Sequence, residues 1–129
     1  MLRLKKFLFS IPFLSLMSCQ NGEQSFKSVG NDEFSALIAQ ESTICLDVRT
    51  AAEYASGHIP GSLHADVSHP DSFLLATDSL DRSKTIAVYC RSGKRSKKAA
   101  RILVEKGHKV VDLDHGINGW MEQGGQIAH

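Results

Sequence analysis

One stretch decides the fold, and it reads Thr85-Ile86-Ala87-Val88-Tyr89-Cys90-Arg91-Ser92-Gly93-Lys94-Arg95-Ser96. The first five residues are apolar or β-branched and predict a short buried strand. Ser92-Gly93 interrupts that pattern, and a helix is predicted from about Lys94 to Lys106, ended by Gly107. The stretch therefore predicts a strand, a tight loop with a cysteine at its start, and a helix.

The same alternation continues on both sides of this stretch. Upstream, strands are predicted over 26–29, 43–48 and 59–65, and helices over 31–40 and 51–56, with a short one at 73–76. Downstream, a strand is predicted over 109–113, followed by a short turn or helix with Trp120. Such alternation predicts an α/β fold with a mostly parallel sheet of about five strands and helices on both sides. In such sheets ligands bind beyond the carboxyl ends of the strands, where Cys90 is placed.

Cys90 is therefore expected at the N-terminus of a helix, where free N–H groups and the helix dipole favour an anion. Six cations and no acid lie between Arg91 and Arg101. Both features favour the thiolate form and predict a nucleophile. The alternative is a buried structural cysteine beside a solvated basic face, and Lys97 and Lys98 are expected to be solvated in either case.

The spacing of the loop narrows the chemistry. A cysteine-based phosphatase needs Arg after five intervening residues, where this chain has Ser96, and Arg95 comes one residue too early. A P-loop is excluded as well, because its first Gly would fall at Val88 and Arg95 replaces the Ser or Thr. The smaller loop suits a single terminal sulfur better than a tetrahedral phosphate.

Four motifs in order now resemble the single-domain rhodanese-like sulfurtransferases. The loop Cys90–Ser96 resembles their active-site loop, and Asp47-Val48-Arg49 with Glu53-Tyr54 resembles their first motif. Further matches are the stretches Gly57-His58-Ile59-Pro60-Gly61-Ser62 and Gly116-Ile117-Asn118-Gly119-Trp120. The resemblance implies a rhodanese-like fold over the domain.

The resemblance also implies a mechanism. Cys90 takes the outer sulfur of thiosulfate or a similar anion as a persulfide, and a thiol or cyanide then accepts it. The terminal sulfur is expected within the loop amides, so the predicted substrate-binding residues are Arg91, Ser92, Gly93, Lys94, Arg95 and Ser96. No metal or organic cofactor is expected, and the chain is expected to be a monomer.

The other matched residues are expected to be structural rather than catalytic. Asp47 and Arg49 should hold neighbouring loops, with Glu53 or His58 as partners, and Trp120 should anchor the core. Cys45 lies in mid-strand and is expected to be a small core residue. His64 and His69 with Asp66 between them are too few ligands for a predicted metal site. His115, where a Gly is common, and the polar stretch 63–67 depart from the family pattern.

Composition and charge place the chain among ordinary globular proteins. It has 129 residues, of which 42% are hydrophobic and 22% charged, with a formal charge of +1. A near-zero charge argues against a nucleic-acid partner. Residues 1–18 hold three basic residues and no acid, so the rest of the chain is mildly acidic, with 12 basic and 14 acidic residues.

The N-terminus predicts export and lipidation. A basic start and an uncharged run over 7–17, too short to span a bilayer, are typical of a signal peptide. Leu16-Met17-Ser18-Cys19 resembles a bacterial lipobox, in which the cysteine is lipidated and becomes the new N-terminus. We therefore expect a signal peptide over 1–18, lipidated Cys19 with a tether over 19–25, and a domain over 26–129. The expected location is the periplasmic side of the outer membrane, held there by the lipid anchor.

One alternative to the enzyme stays open at this point. A chain of the same fold can bind sulfide or another anion, or relay sulfur, without turnover. A phosphatase or an arsenate reductase is the less favoured third reading, because of the loop length.

Overall fold

The computed structural model describes residues 25–129, and the predicted signal peptide and Cys19 lie outside them. Five strands and five helices alternate along these residues. They are β1 (Lys27–Val29), α1 (Asn31–Ile38), β2 (Thr43–Asp47), α2 (Ala51–Ser56), β3 (Leu63–His64), α3 (Pro70–Asp78), β4 (Thr85–Tyr89), α4 (Lys94–Glu105), β5 (Lys109–Leu113) and α5 (Gly116–Glu122).

The strands form one parallel sheet in the order β1-β5-β4-β2-β3. Strand β4 lies at its centre, with Ile86 opposite Ile44 of β2 and Val110 of β5. All five carboxyl ends therefore lie at one edge of the sheet. The predicted α/β architecture with a parallel sheet is confirmed.

Side chains of β4 alternate between two apolar layers, as the period of a strand requires. Ile86 and Val88 pack with Leu103 of α4 on one face. Ala87 and Tyr89 pack with residues of α1 and α5 on the other face. Helices therefore cover both faces, and burial of the two layers supplies most of the drive to fold.

Several element boundaries differ by one or two residues from the sequence-based expectation, as where the helix predicted over 31–40 ends at Ile38, and three differences have a clear physical reason. Only Leu63–His64 of the predicted strand 59–65 pairs with the sheet, because the chain first turns at Pro60-Gly61, where Gly61 has φ +81°. Helix α3 extends over Pro70–Asp78 rather than 73–76, with Pro70 in its first turn, where its missing N–H costs nothing. Helix α1 is capped by Gly30 rather than Asn31 or Asp32.

Within residues 25–129, no helix combines the length and the apolar character that crossing a bilayer requires.

Candidate active site

Cys90 lies where the central strand β4 ends, at the carboxyl edge of the sheet. The side chain is buried, with 1% of the residue exposed. The loop 91–93 follows directly, and α4 begins at Lys94. The structure therefore places Cys90 where parallel α/β sheets bind their ligands.

Two groups contact the sulfur of Cys90. The backbone N–H of Gly93 donates to Sγ at 3.1 Å, and the hydroxyl Oγ of Ser96 lies 3.5 Å from Sγ. Gly93 adopts φ +105°, and a Cβ there would meet the carbonyl oxygen of Asp114 at 2.0 Å. Only glycine can close the loop this way, so the N–H that faces the sulfur depends on this residue.

A buried carboxylate supports the Cys90 loop from behind. Ser96 Oγ donates to Asp112, which is fully buried on β5. Asp112 also accepts from Ser28 Oγ at 2.7 Å and pairs with Lys97 Nζ at 2.9 Å. The chain of contacts runs from the sulfur through Ser96 to Asp112, and fixes the position of the Ser96 hydroxyl.

Lys97 is not the solvated residue that the sequence suggested. Its Nζ contacts Asp112 and Asp114 and donates to the Gly93 carbonyl at 3.2 Å. Burial alone lowers the pKa of Lys97, but the bonds to Asp112 and Asp114 outweigh burial and raise it above its ordinary value. Lys97 therefore holds the loop to β5. Asp112 was not among the predicted site residues, although an acid inside the apolar stretch Val110–Leu113 could have indicated a buried partner.

Arg95 pairs with Glu53 through two bonds, of 2.7 and 2.9 Å. The bond from Arg95 is the main reason why the pKa of Glu53 falls to about 2. Glu53 also closes a capping box with Thr50 at the start of α2. Arg95 therefore joins the first turn of α4 to α2, and its charge is already matched by a carboxylate.

Asp47 and Arg49 form a buried ion pair at the carboxyl end of β2. Arg49 Nη2 lies 2.7 Å from Asp47 Oδ2 and also donates to the carbonyl of Gly57 at 2.7 Å. The prediction that Glu53 or His58 would bind this pair was wrong. Glu53 pairs with Arg95, and His58 Nδ1 lies 2.8 Å from the Tyr54 carbonyl. The pair ties β2 to the end of α2.

The remaining cations near Cys90 are free. Arg91, Lys94, Lys98 and Arg101 are exposed, and none pairs with a carboxylate in the described part of the chain. The six cations of the sequence therefore divide into two that hold the loop and four that face solvent.

Other residues singled out in the sequence lie away from the sulfur contacts. Trp120 is buried and donates from Nε1 to the Gln126 carbonyl at 2.9 Å, with its ring edge-on to Phe34. His64 Nε2 lies 2.6 Å from the Arg49 carbonyl, and His69 lies 3.6 Å from Asp66. Among residues 25–129, no three His, Cys, Asp or Glu side chains cluster as metal ligands would.

The C-terminal motif closes the loop from the other side. Gly116 has φ +64°, and a Cβ there would lie 2.4 Å from the Arg91 carbonyl oxygen. The N–H groups of Ile117 and Asn118 donate to the carbonyls of Cys90 and Arg91, at 2.9 and 3.0 Å. Although His115 departs from the family pattern, Gly116 provides the close approach that the loop needs.

Comparison with known proteins agrees with this architecture. The rhodanese-like domain profile matches residues 30–123. A solved rhodanese-related protein from Thermoplasma volcanium superimposes with a TM-score of 0.70 at 29% identity, over 80% of this chain and 98% of that one.

Two relatives by sequence carry sulfurtransferase names. The thiosulfate:glutathione sulfurtransferase of Saccharomyces cerevisiae is 29% identical, over 86% of this chain and 94% of its own. A sulfurtransferase of Allochromatium vinosum is 32% identical, over 68% of this chain and 80% of its own. With a family profile that spans most of the domain, the chain belongs to the rhodanese-like family.

Proposed function

We propose that this protein is a thiosulfate-type sulfurtransferase that works through a persulfide on Cys90. The Cys90 thiolate attacks the outer sulfur of thiosulfate, an S–S bond forms, and sulfite leaves with the electron pair of the bond that breaks. A thiol or cyanide then attacks the outer sulfur of the persulfide, and the Cys90 thiolate is regenerated. The observation on which this proposal mainly rests is the contact of the Cys90 sulfur with the Gly93 N–H at 3.1 Å.

The surroundings of Cys90 fit each step. Backbone N–H groups at the start of a helix stabilise a negative sulfur without an added cofactor. The free cations Arg91, in the loop, and Lys94, at the start of α4, attract an anionic donor. Arg95 and Ser96 contribute differently, because Arg95 is bound to Glu53 and Ser96 links the sulfur to Asp112.

The names of the relatives support the same reaction class. The yeast relative is named for thiosulfate and glutathione, which are an anionic sulfur donor and a small thiol. A donor and an acceptor of this kind suit a loop that is one residue shorter than a phosphatase loop.

Mass spectrometry tests the proposal directly. The reduced full chain is incubated with thiosulfate, desalted and weighed intact. We expect a mass gain of one sulfur atom, which peptide mapping assigns to Cys90. The added sulfur should be lost when cyanide is added, with release of thiocyanate. The Cys90→Ser variant should show no gain. No gain and no turnover in reduced protein would overturn the proposal.

One other outcome of this experiment, and one separate assay, would favour the alternatives. A persulfide on Cys90 that no acceptor removes would indicate a binding or relay module instead of an enzyme. Hydrolysis of an aryl phosphate that is lost in Cys90→Ser would indicate a phosphatase.

We also propose that the protein is a lipoprotein of the cell envelope, anchored through Cys19. The support is the sequence Leu16-Met17-Ser18-Cys19 after a basic and apolar N-terminus. Labelled palmitate fed to expressing bacteria should enter the wild-type protein and not Cys19→Ser. Equal labelling of both would contradict the anchor.

A further inference from the structure

Four exposed cations form a basic ridge, which we define as Arg91, Lys94, Lys98 and Arg101. Arg91 follows Cys90 directly, and the other three lie on α4. None of them pairs with a carboxylate in residues 25–129, whereas Arg95 and Lys97 between them are both paired.

The ridge follows one face of α4. Lys94, Lys98 and Arg101 are four and three residues apart, the spacing that places side chains on the same side of a helix. The opposite face is buried through Ser96, Ala99, Ala100 and Leu103. With a rise of about 1.5 Å per residue, Lys98 lies about 6 Å and Arg101 about 10 Å beyond Lys94 along the axis.

Local stability does not explain the ridge. A lysine in the first helical turn opposes the helix dipole, and Lys94 and Lys98 are like charges four residues apart. The helix has no acidic residue in its first turn to offset them. The ridge therefore costs the isolated helix some stability, and a function outside the fold is the better reason for it.

A small sulfur anion also does not explain the whole ridge. Thiosulfate is only a few bond lengths across, so at the Cys90 loop it reaches the charges at the near end of the ridge and not Arg101, about 10 Å further along α4. The rest of residues 25–129 holds 8 basic and 13 acidic residues, so the ridge is a positive face on an otherwise acidic domain. Such a face orients a larger, negatively charged partner.

We infer that the basic ridge docks a sulfur acceptor that is a peptide or protein whose thiol is flanked by carboxylates. The inference rests on the proposed function, since it names the partner of the Cys90 persulfide. A partner that lies along the ridge brings its own thiol to the end where Cys90 is. Complementary charges of this kind act mainly on the rate of association.

Sulfur transfer to matched peptides tests the inference. The full chain is loaded with sulfur on Cys90 and mixed with a short synthetic peptide that has one Cys between Glu residues, or with its Gln counterpart. The ridge variant is Lys98→Glu with Arg101→Glu, which leaves the loop 90–96 intact. The control variant is Lys106→Glu with Lys109→Glu, which makes the same charge change at two other exposed positions. Lys106 directly follows α4, and Lys109 begins β5.

We expect wild type to react about tenfold faster with the Glu peptide than with the Gln peptide at low salt. The ridge variant should lose this preference, the control variant should keep it, and transfer to cyanide should be unchanged in both. Added salt should abolish the preference in wild type. Equal rates with both peptides in wild type, or loss of preference in the control variant, would overturn the inference.

A binding measurement separates this inference from the proposed function. A fluorescent Glu peptide with Ser in place of Cys needs no persulfide, and should bind wild type and the control variant more tightly than the ridge variant. If thiosulfate never loads Cys90, the proposed function fails while this measurement still decides the role of the ridge. If instead the ridge variant loses binding to phosphatidylglycerol vesicles and the peptide binds all variants equally, the ridge faces a membrane and the inference is wrong.

Discussion

Cys45 and Cys90 lie on adjacent strands of the same sheet, and both are buried, with 7% and 1% of the residue exposed. Cys45 lies in the middle of β2, opposite Ala87, within an apolar layer. Burial, and then the Asp47 carboxylate, raise the pKa of the Cys45 thiol far above its ordinary value. Cys90 lies at a strand end and receives the Gly93 N–H. Exposure therefore does not distinguish the two thiols, whereas the polar groups around each sulfur do.

Replacing each cysteine in turn gives the largest expected contrast. Cys90→Ser should lower the rate of thiocyanate formation by at least about 10³-fold, because the proposed nucleophile is lost. Cys45→Ala should keep that rate within about twofold, since it removes only a small buried group from a core layer. A loss of activity in Cys45→Ala with the fold intact by circular dichroism would break the comparison.

Removing the carboxylate behind the loop should have a smaller effect on the rate. In Asp112→Asn, Ser96 loses its charged acceptor and the half-buried Lys97 loses one partner. We expect kcat to fall about tenfold, as for the loss of a supporting hydrogen bond. Urea unfolding should show a loss of about 2 kcal/mol, as for the loss of hydrogen bonds to a charged group, because Lys97 is partly exposed and keeps Asp114 as a partner.

Ser28→Ala is the control for Asp112→Asn, because it removes a bond to Asp112 that does not lead to the sulfur. It should lower stability without a comparable fall in kcat. Equal kcat losses in the two variants would mean that Asp112 acts through the fold alone.

The smallest effect is expected at the pair that joins the Cys90 loop to α2. The bond from Arg95 keeps the pKa of Glu53 at about 2, below the value of about 4.3 in an unfolded chain. A carboxyl whose pKa is lowered by folding stabilises the fold at pH values above its pKa in the unfolded chain. That stabilisation is lost as the pH falls from about 4.3 towards 2. The free energy of unfolding of wild type should therefore exceed that of Glu53→Gln near neutral pH. We expect a difference of only about 1 kcal/mol, because the pair is partly exposed.

Urea unfolding of wild type and Glu53→Gln over this pH range measures the difference. The difference in the free energy of unfolding should shrink towards zero near pH 2. A difference that stays constant with pH would show that the Glu53 charge is not what stabilises the fold.

The sequence predicted the sheet well because its strands are short apolar runs bounded by glycine, proline or charged residues. The runs 43–48, 85–89 and 109–113 can be identified without tertiary information, because their mostly apolar composition predicts that they are buried. The segment after His58 was harder, because Ile59 is fully buried without belonging to a strand. An apolar residue in a turn has the same signature as one in a strand.

The site was predicted in position but only partly in its contacts. Cys90 and its loop follow from local spacing. The partners of Arg95, Lys97 and Ser96, in contrast, lie 42, 15 and 16 residues away in the chain, respectively. Such pairs depend on the strand order β5-β4-β2, which places Asp112 and Glu53 on either side of the loop. A local pattern cannot choose which cations pair and which stay free.

The contacts of Gly116, Ile117 and Asn118 with the Cys90 loop have a consequence for the synthesis of the protein. The ribosome makes Cys90 well before the segment that supports it from Asp114 to Asn118. A growing or truncated chain that ends before Asp114 has the thiol but lacks these N–H donors and the Asp114 carbonyl against which Gly93 packs. We therefore expect the chemistry of Cys90 to begin only when the chain is nearly complete, so that an unfinished or unfolded chain does not collect sulfur.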